Sequence, residues 1–324
     1  MATIETLAFQ RNAQNGWDKL PHPTLPTPPW TAEMLLAHPI PEIPFDNSGS
    51  LEDEPNRKIP THRSSPENAR FGGIKNLTEW KMKSYTEFSQ IVNVAAQTHF
   101  FPTQEDKTIS LCKEADAVFA HKRYVISPVN MVFYAVMVRS GSSITAITAW
   151  AENVETTTIR RTPKSKRAGR QPKDITIISR FDLKYTYTDA GEEEDFAVLE
   201  YKRAKTLSPL ISKFLLNEVN KGDALKVVQQ LKKYCRTTGR RYAAICDFYV
   251  LILFVFEGDF NEFEDPTKLT VAKVRLIKEP NNMPIAWFCF LYEALEAARK
   301  QGPAPSSGGP PAGTAGPAGK KVKT

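Results

Sequence analysis

The chain has 324 residues, 41% of them hydrophobic and 24% charged, which suits one large folded domain or two small ones and excludes a chain too polar to fold. A formal net charge of +7 favours polyanionic partners, because each Lys or Arg laid against a phosphate releases a counterion. The cysteines (Cys112, Cys235, Cys246, Cys289) and histidines (His22, His38, His62, His99, His121) stand at no metal-ligand spacing, which excludes a disulfide framework and a zinc site.

Residues 1–70 are crowded with Pro, Asn and Ser, and Pro21, Pro23, Pro26, Pro28 and Pro29 rule out regular helix there. A largely disordered lead is expected, with the apolar patches 30–36 and 40–45 able to lie against a core. No apolar signal segment stands near the start, and the longest apolar run, 242–256, is broken by Asp247 and too short for a bilayer. A soluble, intracellular protein without a membrane partner is the expectation. The 3.6-residue period of Leu77, Trp80, Phe88, Ile91, Val92 and Ala95 predicts a first helix over 76–96. A second is predicted over 109–122. Val, Phe, Tyr, Ile and Thr then predict strands over 131–139 and 144–151, joined by Ser140-Gly141-Ser142.

A basic stretch follows, with Arg160, Arg161, Lys164, Lys166, Arg167, Arg170 and Lys173 interrupted by Pro163, Gly169 and Pro172. It is expected as a loop inserted at 160–173. Three readings of it stand side by side: a nucleic-acid-contacting arm, a nuclear localisation signal, or a solvated insert. Strands are predicted over 174–187 and 196–204, separated by an acidic turn at 188–195 expected to be a solvated tip. Helical pattern fills 208–234, with a break near Gly222, Asp223 as an N-cap and Gly239 as a C-terminal stop. The run 242–257 suits a strand pair or a single bent strand, with Asp247 preferred as a turn over a buried anchor. Residues 269–277 suit an edge strand and 282–300 an amphipathic helix. From Gly302 the Pro/Gly/Ala composition predicts a disordered tail, 302–324, ending in Lys320, Lys321 and Lys323. The order predicts an α/β fold with a mixed central β-sheet flanked by helices, occupying 75–300.

The chemistry concentrates between 182 and 234. Glu200 and Lys202 alternate onto one face of their strand and are costly to bury without a purpose. If the strands on either side of the acidic turn form a hairpin with position 188 opposite 195, Asp182 falls opposite 200 to 202. Two carboxylates and a lysine then share a patch. Carboxylates that close repel unless a cation or proton sits between them, and their oxygens suit Mg²⁺. Lys202 is placed to offset charge on a phosphate and to assist the attacking water.

An Asp followed by a strand carrying E-x-K resembles the PD-(D/E)XK nuclease superfamily, on Phe181-Asp182 and Glu200-Tyr201-Lys202. Phe181 replaces the proline of the name. Gln230-x-x-x-Tyr234 in the next helix resembles the Q-x-x-x-Y of its RecB-like members. The chain is similar overall to fungal proteins carrying this domain. The resemblance implies a restriction-endonuclease-like core. It also implies metal ligation (Mg²⁺ or Mn²⁺) by Asp182, Glu200 and the Tyr201 backbone carbonyl, a catalytic Lys202, and Gln230 and Tyr234 lining the site. A further acid from an early helix is implied too, with Glu87 and Glu114 as candidates.

The expected function is therefore a metal-dependent nuclease acting on nucleic acid, DNA before RNA, with a nuclear setting if the basic segments direct import. The alternative is a nuclease-fold module that has lost catalysis and binds nucleic acid or a protein. In that bland reading Glu200 and Lys202 form a cross-strand ion pair on a half-exposed sheet, and Gln230 and Tyr234 are ordinary helix surface and core edge. No oligomer interface is legible.

Overall fold

A computed structural model describes residues 31–44, 71–83, 111, 114–139, 143–161, 174–258 and 270–301. Its elements in chain order are α1 (Ala32–Leu36), β1 (Asn76–Glu79), α2 (Glu114–His121), α3 (Ser127–Arg139), β2 (Ile144–Arg161), β3 (Asp174–Asp189), β4 (Glu192–Tyr201), α4 (Ile211–Leu215), α5 (Gly222–Thr238), β5 (Tyr242–Cys246), β6 (Leu251–Glu257), β7 (Val271–Ile277) and α6 (Met283–Gln301). The strands form one sheet in the order β1-β7-β6-β5-β4-β3-β2. It is mixed: β4–β5 and β1–β7 are parallel, the other neighbours antiparallel. This is the α/β architecture expected, with helices on both faces.

Strand alternation sorts the core into two layers. Ala197, Leu199, Tyr201, Ala244, Cys246, Leu251 and Leu253 turn toward a cluster built with α1, α2, α3 and α6. Val198, Ala243, Ile245, Ile252 and Phe254 turn toward the other cluster, with α4 and α5. Trp287 of α6 is fully buried and stacks on Phe290 with centroids 5.0 Å apart. Burying a side chain of that size contributes roughly 1.5–3 kcal/mol. No described helix is long and apolar enough to cross a membrane.

Several local expectations are corrected. The predicted strand at 131–139 is helical, within α3, whose buried Val129, Val132, Phe133 and Val136 recur at helical spacing. Pro128 cannot donate the bond that would carry α2 onward, and the chain widens into a π-helical turn over Lys122–Ile126 just before it. The first helix predicted from residue 76 begins instead as β1, and residues 84–96 lie outside the described residues. β7 is not the edge, because β1 covers it in parallel. The strand at 196–204 starts earlier and ends at Tyr201.

The acidic turn shrinks to Ala190 and Gly191, both at positive φ. Glu192 and Glu193 are exposed there as expected, but Glu194 pairs with buried Arg240, and Asp195 pairs with Lys184 at 2.8 Å. Lys221, not Asp223, is the N-cap of α5; Asp223 lies in the first turn and binds Lys226 at 2.8 Å. Gly239 does end that helix, in the left-handed conformation at φ 66. Asp247 is both a turn and a buried anchor between β5 and β6. Its carboxylate accepts from the N–H groups of Leu207 (2.7 Å), Tyr249 (3.1 Å) and Val250 (2.9 Å).

The N-terminal patch is ordered where it meets the core. α1 is capped by Thr31, and Ile40 and Ile43 are buried. Ile40 N–H donates to Asn281 Oδ1 at 2.7 Å, and Tyr249 OH donates to the Ile43 carbonyl at 3.2 Å. Cys235, Cys246 and Cys289 form no disulfide and are buried; Cys112 lies outside the described residues.

Candidate active site

β4 delivers Glu200 and Lys202 to the α5 side of the sheet, the face of Val198. They are 5% and 3% exposed, so the sheet is not half-open there. Charges buried that deeply persist only when paired and hydrogen-bonded. Lys202 Nζ donates to Glu200 Oε1. The pair therefore joins the end of β4 to the residue just past it rather than bridging two strands.

α5 completes the cage. Gln230 and Tyr234 stand one turn apart, hence on one face. Gln230 Nε2 donates to Glu200 Oε1 at 2.7 Å and to Tyr234 OH at 2.8 Å, while Tyr234 OH donates to Glu200 Oε2 at 2.8 Å. Burial, with the charge of Glu200 next, pushes the Tyr234 phenol well above its ordinary range and keeps it a donor. Gln230 Oε1 is buried with no hydrogen-bond partner among the described residues.

Asp182 comes from β3. The hairpin register differs from the simple count: Thr188 faces Glu193, and an irregularity beside Phe196 brings Leu183 opposite Leu199. Asp182 is one step beyond, level with Glu200. The backbone N–H of Tyr201 donates to its Oδ2 at 2.7 Å, and the N–H of Lys202 donates to the Cys246 carbonyl at 2.8 Å. Burial pushes the Asp182 carboxyl up to about 7, and the neighbouring charge of Glu200 adds to it; the Tyr201 N–H and Lys202 oppose the rise. The charge of Glu114, at the start of α2, also raises it. Of the two candidate further acids, Glu114 is thus within electrostatic reach, and Glu87 lies outside the described residues.

The sequence offered no sign of a second layer beneath this patch. His121 of α2 is fully buried, with Nδ1 2.9 Å from the Tyr201 hydroxyl and the two rings edge-on at 5.4 Å. Burial lowers the imidazole to about 3, so it is neutral. A lone histidine carries no local signal; only the contact of α2 with β4 gives it a partner.

The basic stretch divides. Arg160 and Arg161 belong to β2, opposite Ile175 and Asp174, rather than to a loop. Lys164, Lys166, Arg167 and Arg170 lie outside the described residues. Among the described residues no group of three or more His, Cys, Asp or Glu side chains is placed to hold a metal ion. The acidic donors brought together are the pair Asp182 and Glu200. The chain matches no known family model and no curated protein.

Proposed function

We propose that the protein is a metal-dependent nuclease that hydrolyses phosphodiester bonds in DNA or RNA. The supporting observation is the buried Glu200–Lys202 pair, braced by Gln230 and Tyr234, with Asp182 level with it on the adjacent strand. Asp182 and Glu200 fit Mg²⁺ or Mn²⁺ as hard oxygen donors, and their mutual repulsion is what a cation relieves. The Tyr201 carbonyl is the third donor in this reading, and Glu114 the further acid. When bound, the ion polarises a phosphoryl oxygen and acidifies a water.

The chain's own residues do the rest. Tyr234 and Gln230 fix both oxygens of Glu200, and the Tyr201 N–H fixes Asp182. Lys202 offers its ammonium to the phosphate as negative charge grows on it, and orients the attacking water. That water forms the new P–O bond as the ester bond breaks, and the departing oxygen leaves with a proton. The basic residues of 160–173 serve as phosphate contacts, and with Lys320, Lys321 and Lys323 they suit nuclear import.

A second reading draws on one observation: both oxygens of Glu200 already have protein donors. That suits a nuclease-fold module without catalysis that binds nucleic acid or a protein. The two separate on one experiment. Supercoiled plasmid, single-stranded DNA and RNA are incubated with wild type, Glu200→Gln and Lys202→Ala, with Mg²⁺ or Mn²⁺ and with chelator. Cutting that needs metal and is lost in both variants is the expected result. Salt-sensitive binding without cutting by wild type would put the non-catalytic module in its place.

A further inference from the structure

We propose that the groove between residues 40–44 and the end of the sheet is a subsite for one single-stranded nucleotide, its base stacked on Tyr249 and its phosphate held by Lys205. This rests on the nuclease reading for its place beside the scissile phosphate. The groove has a volume of about 530 Å³, and its walls include Pro41, Glu42, Lys205, Phe248, Tyr249 and Pro280. That size matches sites for small ligands.

Its position is set by β4 and β5. Lys205 is the third residue after Lys202, within about 10 Å along even an extended chain. The other wall is Phe248 and Tyr249, two and three residues beyond Cys246, whose carbonyl accepts from Lys202 N–H at 2.8 Å. The groove therefore opens at the same end of β4 and β5 as Lys202, with Ile40, Ile43 and Phe248 contributed from the α6 side of the sheet. Clefts beyond the carboxyl ends of parallel strands are where α/β sheets bind ligands.

Each of the two walls turns through a left-handed residue. Lys205 (φ 62) and Phe248 (φ 73) occupy the left-handed region that side chains other than Asn and Gly avoid. Ala190 and Asn217, also at positive φ, have local reasons: a hairpin tip and the end of α4. Lys205 and Phe248 are likewise turn residues: Thr206 N–H donates to the Arg203 carbonyl at 3.2 Å and Asp247 N–H to the Val250 carbonyl at 3.1 Å, so the groove is walled by two tight turns held together by a clamp. Here the clamp is Asp247, which ties the Leu207 N–H of one wall to the Tyr249 and Val250 N–H groups of the other.

The chemistry selects a nucleotide. Lys205 Nζ lies 5.6 Å from the centre of the Tyr249 ring, so a cation and an aromatic face are presented together. An incoming phosphate draws the ammonium aside and leaves the ring for a base, the pairing by which single strands are held. Glu42, on the facing wall, can accept from the exocyclic amine of a base such as cytosine.

The test is fluorescence anisotropy of a fluorescein-labelled oligodeoxycytidylate with the full chain, in chelator so that nothing is cut. Tyr249→Ala is expected to weaken binding roughly 5- to 100-fold, the range for loss of one stacked base, while Tyr249→Phe binds as wild type. Lys205→Gly relieves the left-handed backbone, so its melting temperature holds or rises while binding weakens. A residue with only a structural role would not move those two readouts apart. Unchanged affinity in Tyr249→Ala or in Lys205→Gly overturns the subsite, even if Lys202→Ala abolishes cleavage and the nuclease reading stands. Weakened binding in both variants of a protein that cuts nothing keeps the subsite and removes the nuclease reading.

Discussion

Tyr234 of α5 donates its phenolic proton to Oε2 of Glu200 on β4 across 2.8 Å, and that bond fixes the carboxylate proposed to hold the metal. Removing a partner that orients a metal-ligating carboxylate typically costs 10–100-fold in metal affinity or activity. Tyr234→Phe is therefore expected to raise the Mg²⁺ concentration for half-maximal cleavage by about 10–100-fold, with the fold intact by circular dichroism. A Mg²⁺ titration checks it, and an unmoved midpoint would take Glu200 out of the metal site.

Lys202→Met leaves Glu200 buried without its cation. Breaking one side of a buried pair costs about 3–5 kcal/mol, although Gln230 and Tyr234 still satisfy part of the charge here. The double variant Glu200→Gln/Lys202→Met removes both charges and should lose less stability than Lys202→Met alone. Urea unfolding of the two variants beside wild type decides it; equal or additive losses would mean the charges are not coupled.

His121 gives the protein an acid-sensitive element. Its folded value of about 3 lies below the ordinary 6.5, so the unfolded chain takes up a proton first as pH falls. The stability tied to neutral His121 is complete above about pH 6.5 and declines toward pH 3, by up to about 1.4 kcal/mol per pH unit. Asp182 and Asp247, raised to about 7 and about 6 by burial, slope the opposite way over part of that range. The informative quantity is the difference between wild type and His121→Gln, which keeps a partner for the Tyr201 hydroxyl. Urea unfolding at several pH values should show wild type losing ground to the variant below about pH 6.5, and parallel curves would contradict a buried neutral imidazole.

A glycine and an asparagine lock β1 onto the body. Asn220 Oδ1 accepts from Ile74 N–H at 2.9 Å and its Nδ2 donates to the Ile74 carbonyl at 2.7 Å. A Cβ on Gly73 would fall 2.0 Å from that same Oδ1. Gly73→Ala must expel the amide and forfeit both bonds, about 2 kcal/mol at a typical net value of 1 kcal/mol each. Asn220→Ala should cost a similar amount, and the double variant little more than either. Thermal melts of the three variants check this, and strict additivity would break the link.

Elements whose signal was local were legible. The alternation of β3 and β4, the i, i+4 pair Gln230 and Tyr234, and the stop at Gly239 were all readable from neighbouring residues, and the structure brings Asp182, Glu200, Lys202, Gln230 and Tyr234 together. α3 was misread because Met131 to Met137 is apolar throughout and rich in β-branched and aromatic residues, which hides the helical spacing of Val129, Val132, Phe133 and Val136. β1 was misread because Leu77 and Trp80 fit a helix equally well, and what makes Asn76–Glu79 a strand is a partner far along the chain. The same holds for His121 with Tyr201 and for Arg240 with Glu194. Each residue is unremarkable in its own neighbourhood and gains a role only from an element brought up by the tertiary fold.

The pairing of Asn76 with Val271 also orders events during synthesis. β1 leaves the ribosome early, yet the edge it must dock on is made only when nearly the whole chain has emerged. Closing so long a loop is slow compared with forming the β3–β4 hairpin, whose strands are neighbours in sequence. β7 thus depends on that distant strand to cover its row of backbone groups, and a chain stripped of β1 would present them as an open edge on which a strand from another copy could pair.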